Sequence, residues 1–172
     1  MKEIKAYITE LTDILRHEIK SFNIIVELLI LEEKSLLECD NKLLMHVLER
    51  QGDVFSSIAC LEKSRMEIVE KIGNIIGKDP DKITISFLEK LVDGDDKKEL
   101  QETAHILSKI NDDIKQKKIT NNMLIKQGML LVESNIRFLL KAIGRDDLVK
   151  DIYSQNALRR NYSVSVRLDG RV

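Results

Sequence analysis

The feature that most constrains this chain is the stretch from Asp95 to Gly144, which contains no proline and repeats apolar residues at helical spacing. One face is marked by Leu100, Ala104, Leu107, Ile114, Leu124, Leu131, Phe138 and Ala142. A single helix of this extent would be about 70 Å long at the usual rise per residue, several times the average helix of a globular protein. Such a helix cannot enclose a compact pocket, and its apolar stripe needs partner helices to cover it. We therefore expect a protein that acts as a surface for another chain.

Composition supports an all-α fold. The chain has one proline, seven glycines and no tryptophan, while aromatic residues make up 4% and charged residues 33%. An all-β or α/β chain would need more turn-forming residues. Aliphatic and charged residues suit the narrow layers of a helical bundle. We predict an elongated antiparallel bundle with three long helices, one short helix and a flexible C-terminal segment.

Capping residues set the ends of the first two helices. The first helix is predicted from about Glu3 to Glu38. Asp40 can cap the second helix, because its carboxylate can accept hydrogen bonds from the free N–H groups of the first turn. Gly77 ends the second helix and Pro80 follows it, as is typical of a helix C-terminus. The connection between the two helices is so short that they must fold back antiparallel.

The segment from Lys78 to Gly94 interrupts the pattern of long helices. Its apolar residues predict a short helix, for which Thr84 is a suitable cap. An acidic turn follows, and Asp95 is a suitable cap for the long helix. We expect that long helix to return along the hairpin of the first two helices.

The character of the chain changes after Gly144. Apolar residues at helical spacing continue for a short distance, but the last ten residues alternate apolar and polar side chains. We predict two parts, a helical bundle at 1–144 and a mobile amphipathic tail at 145–172. Whether the tail detaches to bind a partner or packs permanently on the bundle is left open.

The sequence predicts a cytoplasmic protein. The start of the chain has no apolar segment followed by a cleavage site, so we expect no signal peptide. The most apolar run, Ile24 to Leu31, is interrupted by Glu27 and is far too short to span a membrane. Cys39 and Cys60 are not at metal or redox spacing, and we expect free, buried thiols in a reducing compartment.

No pattern of residues indicates catalysis or metal binding. Glu102 and His105 have the Glu-x-x-His spacing of di-iron bundles, but such sites need a second pair and two further glutamates. Asp93 and Asp95 could open a calcium loop, but Ala104 stands where that loop requires a glutamate. No nucleophile lies in a serine–histidine or cysteine–histidine context. We expect no enzyme, no metal site and no cofactor.

Three asparagines, Asn111, Asn121 and Asn135, fall on or beside the apolar stripe of the long helix. They can hydrogen-bond to neighbouring helices and fix their register, as a buried asparagine does in coiled coils. They can also hydrogen-bond to a bound peptide. The sequence leaves both interpretations open.

Several short motifs accompany this order of elements. The second helix contains Leu61-Glu62-Lys63-Ser64-Arg65, Ile68-Val69 and Ile72-Gly73, and the long helix carries Asn121-Asn122-x-Leu124, Leu130-Leu131 and Phe138-Leu139-Leu140, before Tyr153 opens the polar tail. Over most of its length the chain resembles the FlgN family of flagellar export chaperones. The resemblance implies a cytoplasmic protein that binds the C-terminal helical segments of hook–filament junction proteins. It also implies that these clients are kept from premature assembly and are delivered to the type III export gate and its ATPase complex.

We predict that the client lies on the C-terminal half of the long helix and on the adjoining tail. The earlier turns of this helix must cover the hairpin, so its end has the most apolar surface to spare. A client helix would pack into this surface as a helix packs into a groove. The predicted client-binding residues are Leu131, Asn135, Phe138, Leu139, Ala142, Leu148, Ile152 and Tyr153.

Two other classes of function remain open. A structural coiled-coil or dimerising adaptor would use the long helix to form a homodimer, but Lys118 and Gly128 interrupt its seam. A regulatory nucleic-acid binder would use the basic tail. Residues 153–172 carry four arginines and one aspartate, a net charge of +3, which leaves −4 for the rest of a chain whose total is −1. The sequence indicates no sheet or groove with interleaved aromatic residues around these arginines, so the nucleic-acid binder is the less favoured of the two alternatives.

Overall fold

The computed structural model describes residues 2–144, and its regular elements are all helical. They are α1 (Lys2–Glu38), α2 (Asn41–Ile76), a 3-10 turn (Pro80–Lys82), α3 (Ile85–Leu88) and α4 (Asp95–Ala142). The prediction of an all-α fold with three long helices and one short helix is confirmed. The predicted tail, 145–172, lies outside the described residues.

Contacts along the chain define two compact units. The first unit spans Met1–Asn122, and the second begins at Met123. Helix α4 runs through both, because its sequence contains neither a proline nor a run of turn residues that would end it. The core and the hairpin described next belong to the first unit.

Helices α1 and α2 form an antiparallel hairpin, as predicted. Two contacts show its register: Glu32 Oε2 accepts a hydrogen bond from Gln51 Nε2 (2.8 Å), and Glu18 Oε1 lies 3.5 Å from Arg65 Nε. From Glu32 to Glu18 the chain runs fourteen residues back along α1, and from Gln51 to Arg65 it runs fourteen residues forward along α2, so the two helices are antiparallel. Helix α4 runs parallel to α1, since Lys5 pairs with Asp96 near one end and Leu29 meets Asn121 farther along.

The predicted caps of α2 and α3 are present. The Asp40 carboxylate accepts hydrogen bonds from the backbone N–H groups of Lys42 and Leu43, at 3.1 and 3.0 Å. Gly77 follows α2 with a φ of 66°, a left-handed conformation that glycine adopts without a steric penalty. The Thr84 hydroxyl accepts a hydrogen bond from the Phe87 N–H at 3.2 Å.

The prediction that Asp95 caps α4 is wrong. Asp95 is the first residue of the helix, and the carbonyl of Gly94 accepts the N–H of Lys98 at 3.4 Å. Gly94, which precedes the helix, has a φ of 69°, a turn conformation that only glycine adopts readily. Asp95 and Asp96 remain in the first turn, where their negative charges interact favourably with the helix dipole.

Two apolar clusters hold the first half of α4 against the hairpin. The first consists of Ile8, Leu11, Leu15, Ile68, Ile72, Leu88, Val92, Leu100 and Leu107. The second consists of Ile25, Leu28, Leu29, Val47, Ile110 and Ile114. Both contain residues of α1, α2 and α4, so α1 is covered on two sides. Its buried residues therefore form a wide stripe, which includes Ile25 and Leu28 as well as Ile8, Leu11 and Leu15.

One carboxyl group is buried in the hairpin. The Glu18 side chain is 6% exposed and lies on the α2 side of α1, beside Arg65. Arg65 donates its hydrogen bonds to Glu62, at 2.6 and 3.2 Å, and Glu18 Oε1 accepts no hydrogen bond. Burial raises the pKa of Glu18 from 4.5 to about 7, although the positive charge of Arg65 opposes this shift; the negative charge of Glu62 adds to it.

Candidate functional site

The first half of α4 is committed to the core. Its buried residues are Leu100, Thr103, Leu107, Ile110, Ile114 and Asn121. They recur every three, four or seven residues and so form one stripe, which packs on the hairpin of α1 and α2. The expectation that the earlier turns of this helix cover the hairpin is therefore correct. Among the large apolar residues of these turns, only Ile106 and Ile119 are exposed.

The second half of α4, from Met123 onward, has no buried residue. Its large exposed apolar side chains are Met123, Ile125, Met129, Leu130, Leu131, Val132, Ile136, Phe138 and Leu139, and Ile143 follows the helix. Phe138 is 73% exposed and Met129 is 66% exposed. Contiguous apolar surface of this kind is typical of a site that binds another protein.

This apolar surface is not limited to one stripe. Residues 129–132 are four consecutive apolar residues, and all four are more than half exposed. Successive helical residues point about 100° apart, so these four cover about 300° of the helix circumference. A helix that is apolar around most of its circumference is normally buried. We refer to residues 123–143 as the exposed apolar segment.

The described residues of the predicted client site all lie on one side of this segment. Leu131, Asn135, Phe138, Leu139 and Ala142 are spaced by three, four or one residues, and all five are exposed. The ion pair between Glu133 and Arg137, at 2.8 Å, lies on the opposite side of the helix. The predicted face thus carries no charge. The other predicted residues, Leu148, Ile152 and Tyr153, lie outside the described residues.

Part of this segment is not predicted by the apolar stripe. Met129, Leu130, Val132 and Ile143 were not among the predicted site residues, although each is at least 58% exposed. The run of four apolar residues at 129–132 was the available signal, because a one-sided helix does not need such a run.

The structure distinguishes the three asparagines. Asn121 is 2% exposed, and its Nδ2 donates a hydrogen bond to the Leu29 carbonyl at 3.0 Å. This bond fixes the register of α4 against α1, so Asn121 has the first of the two roles expected for these asparagines. Asn111 is half-buried, and Asn135 is exposed on the predicted client face.

The residues with potential for chemistry are dispersed. Glu102 and His105 are both exposed, and among residues 2–144 no three histidine, cysteine, aspartate or glutamate side chains are grouped to hold a metal ion. Cys39 and Cys60 are free, as predicted, but the prediction that they are buried is wrong. Cys39 lies in the turn after α1 with a φ of 54°, and both thiols are exposed. Within residues 2–144, none of the helices contains an uncharged apolar stretch of the length that a membrane span requires.

The sequence matches one known protein family. The family model described as FlgN protein matches residues 1–159, which include every described helix. The comparison with curated proteins and the comparison with solved structures gave no match. The family match covers most of the chain, and the chain therefore belongs to the FlgN family of flagellar export chaperones.

Proposed function

We propose that this protein is a cytoplasmic chaperone that binds the C-terminal helical segments of hook–filament junction proteins. It keeps those segments from assembling prematurely and delivers them to the type III export gate and its ATPase complex, without catalysing a reaction. Membership of the FlgN family supports this role. The observation that carries the proposal is the exposed apolar segment of α4, in which ten large apolar side chains are exposed.

The chemistry of this segment favours an amphipathic helix as the bound partner. Leu131, Phe138 and Leu139 are each at least 60% exposed and lie on one uncharged face. Fully burying such a side chain contributes about 1.5–3 kcal/mol. A transient complex of micromolar affinity requires about −8 kcal/mol after the costs of association. Three anchors cannot supply this alone, so the surrounding apolar residues must contribute as well, and we propose that the tail residues Leu148, Ile152 and Tyr153 add to them.

The test is a calorimetric titration with the C-terminal segment of a hook–filament junction protein from the same bacterium. The variant replaces Leu131, Phe138 and Leu139 by serine, and its affinity should fall by at least a hundredfold because central apolar anchors are lost. Leu37→Ser is the matched control. Leu37 is 64% exposed, as Leu131 is, but it lies at the end of α1. Unchanged affinity in the triple variant would contradict the proposed site, and no binding by the wild-type chain would contradict the proposed function.

A dimerising adaptor is the second candidate, because the same exposed segment could pair with the segment of a second copy. Sedimentation velocity over a range of protein concentrations distinguishes the two functions. A dimer that persists at low micromolar concentration and is abolished by the triple serine substitution would favour the adaptor. A monomer that forms a defined complex with the client segment would favour the chaperone.

A further inference from the structure

A small polar notch lies between the three long helices, within residues 1–122. Its volume is about 140 Å³, and it is lined by Ile25, Leu29 and Glu32 of α1, Gln51 and Phe55 of α2, and Lys118, Asn121 and Asn122 of α4. Pockets for small-molecule ligands usually measure about 300–1,000 Å³. This notch is too small for a cofactor, but it has room for a few water molecules or for the end of one side chain.

One buried hydrogen-bond acceptor in the notch lacks a donor, and one buried carboxylate there lacks a cationic partner within 4 Å. Asn121 is 2% exposed; its Nδ2 is bonded to Leu29, but its Oδ1 accepts no hydrogen bond. Glu32 is 8% exposed, and it accepts one hydrogen bond, from the neutral amide of Gln51. Among residues 2–144, no lysine, arginine or histidine nitrogen lies within 4 Å of the Glu32 carboxylate. A carboxylate this buried is usually paired with a cation.

An apolar row on α2 leads along one side of the notch. Leu48, Phe55 and Met66 are 44%, 47% and 62% exposed. Their spacings of seven and eleven residues are close to two and three helical turns, so the three side chains lie on one face of α2. Phe55 belongs both to this row and to the notch. The row is the kind of surface on which the apolar face of a partner helix packs.

From these observations we infer that the notch is a second client subsite, which receives a basic side chain from an amphipathic client helix lying on the α2 row. The basic group would donate hydrogen bonds to the Glu32 carboxylate and to Asn121 Oδ1, which has no donor. A guanidinium is the best match, because its forked N–H groups can reach two acceptors at once. An apolar face alone allows a bound helix to slide, whereas one buried polar pair fixes its register. This inference rests on the proposed capture of a client helix, and it adds a requirement for charge that the exposed apolar segment does not impose.

The test uses the full chain and the same junction-protein segment in calorimetric titrations. Glu32→Gln keeps the shape and one acceptor but removes the charge, and it should weaken binding about ten- to a hundredfold, as expected for a hydrogen bond to a charged group. The matched control is Glu33→Gln, because Glu33 is the next residue of α1 and does not line the notch. Phe55→Ala, at a side chain outside both apolar clusters, should weaken binding about fivefold without unfolding the chain.

Replacing the client's basic residues by methionine, one at a time, identifies the partner of Glu32. One such replacement should weaken binding to the wild-type chain as much as Glu32→Gln does, and it should cause no further loss in the Glu32→Gln chain. Wild-type affinity in both the Glu32→Gln and Phe55→Ala chains would overturn the inference while leaving the proposed function intact. Equal losses in Glu32→Gln and Glu33→Gln would also overturn it, because the effect would then be one of overall charge. Failure of the wild-type chain to bind the segment would overturn both proposals.

Discussion

Replacing Glu18 by glutamine should stabilise the protein at neutral and alkaline pH. The carboxyl group is 6% exposed, and the nearest cation, Arg65, lies 3.5 Å away and gives its hydrogen bonds to Glu62. Removing a charge from such a site avoids its desolvation, and glutamine has nearly the same shape. Breaking a buried ion pair usually destabilises a protein. Here the opposite is expected, because Arg65 keeps Glu62 as its partner.

The size of the effect follows from the pKa of Glu18, which burial raises from 4.5 to about 7. A group with a raised acid pKa binds its proton more tightly in the folded state, so its ionisation lowers the free energy of unfolding. The contribution of Glu18 to stability is therefore fully present below about pH 4.5 and is lost as the pH rises to about 7. A shift of this size corresponds to at most about 3 kcal/mol above pH 7. Glu18→Gln should recover most of that difference at pH 8 and almost none at pH 4.5.

The measurement is chemical unfolding of the wild type and of Glu18→Gln at several pH values from 4.5 to 8. The stability difference between the two proteins should grow with pH and level off above pH 7. Glu10→Gln, at an exposed position of the same helix, controls for the loss of one negative charge. If Glu18→Gln were less stable than the wild type at pH 8, the attraction to Arg65 would outweigh the cost of burial, and the reasoning would be wrong.

The helix ends could be predicted because strong local signals mark them. Asp40, Gly77 and Thr84 each act through their own side chain or backbone conformation, which depends on a few neighbouring residues. The error at Asp95 has the same local origin. The acidic turn supplied a plausible capping residue, but the helix begins one residue earlier than a cap at Asp95 would require.

Which residues of each helix are buried was harder to predict, because burial depends on residues that are distant in the sequence. The apolar period of α4 is similar in both halves, yet Leu107 is 6% exposed and Leu131 is 64% exposed. Only the length of the hairpin in relation to α4 suggested this difference. Glu18 follows Leu11 and Leu15 at helical spacing and is buried with them. That Arg65 lies 3.5 Å from Glu18 without donating a hydrogen bond to it is visible only in three dimensions. The prediction that the cysteines are buried rests on the general tendency of free thiols to be buried. That tendency does not indicate which face of a helix a given cysteine occupies.

Two remaining predictions concern local geometry within α2 and are measured by thermal or chemical unfolding. Asp40→Ala should lower the free energy of unfolding by about 1 kcal/mol, because it removes the acceptor for two N–H groups in the first turn. Gly73→Ala should cost about 1–3 kcal/mol, because a Cβ there would lie 2.8 Å from the Lys78 carbonyl oxygen, and a backbone atom cannot move aside as a flexible side chain can. The matched control is Gly52→Ala in the same helix, where a new Cβ meets no atom within 4 Å. Gly52→Ala should raise the stability by about 0.5–1 kcal/mol, since alanine is the better helix former. The two identical substitutions should therefore change the stability in opposite directions. If both were stabilising, the turn after α2 would have moved away from Gly73, and its close approach to the helix would not be a requirement of the fold.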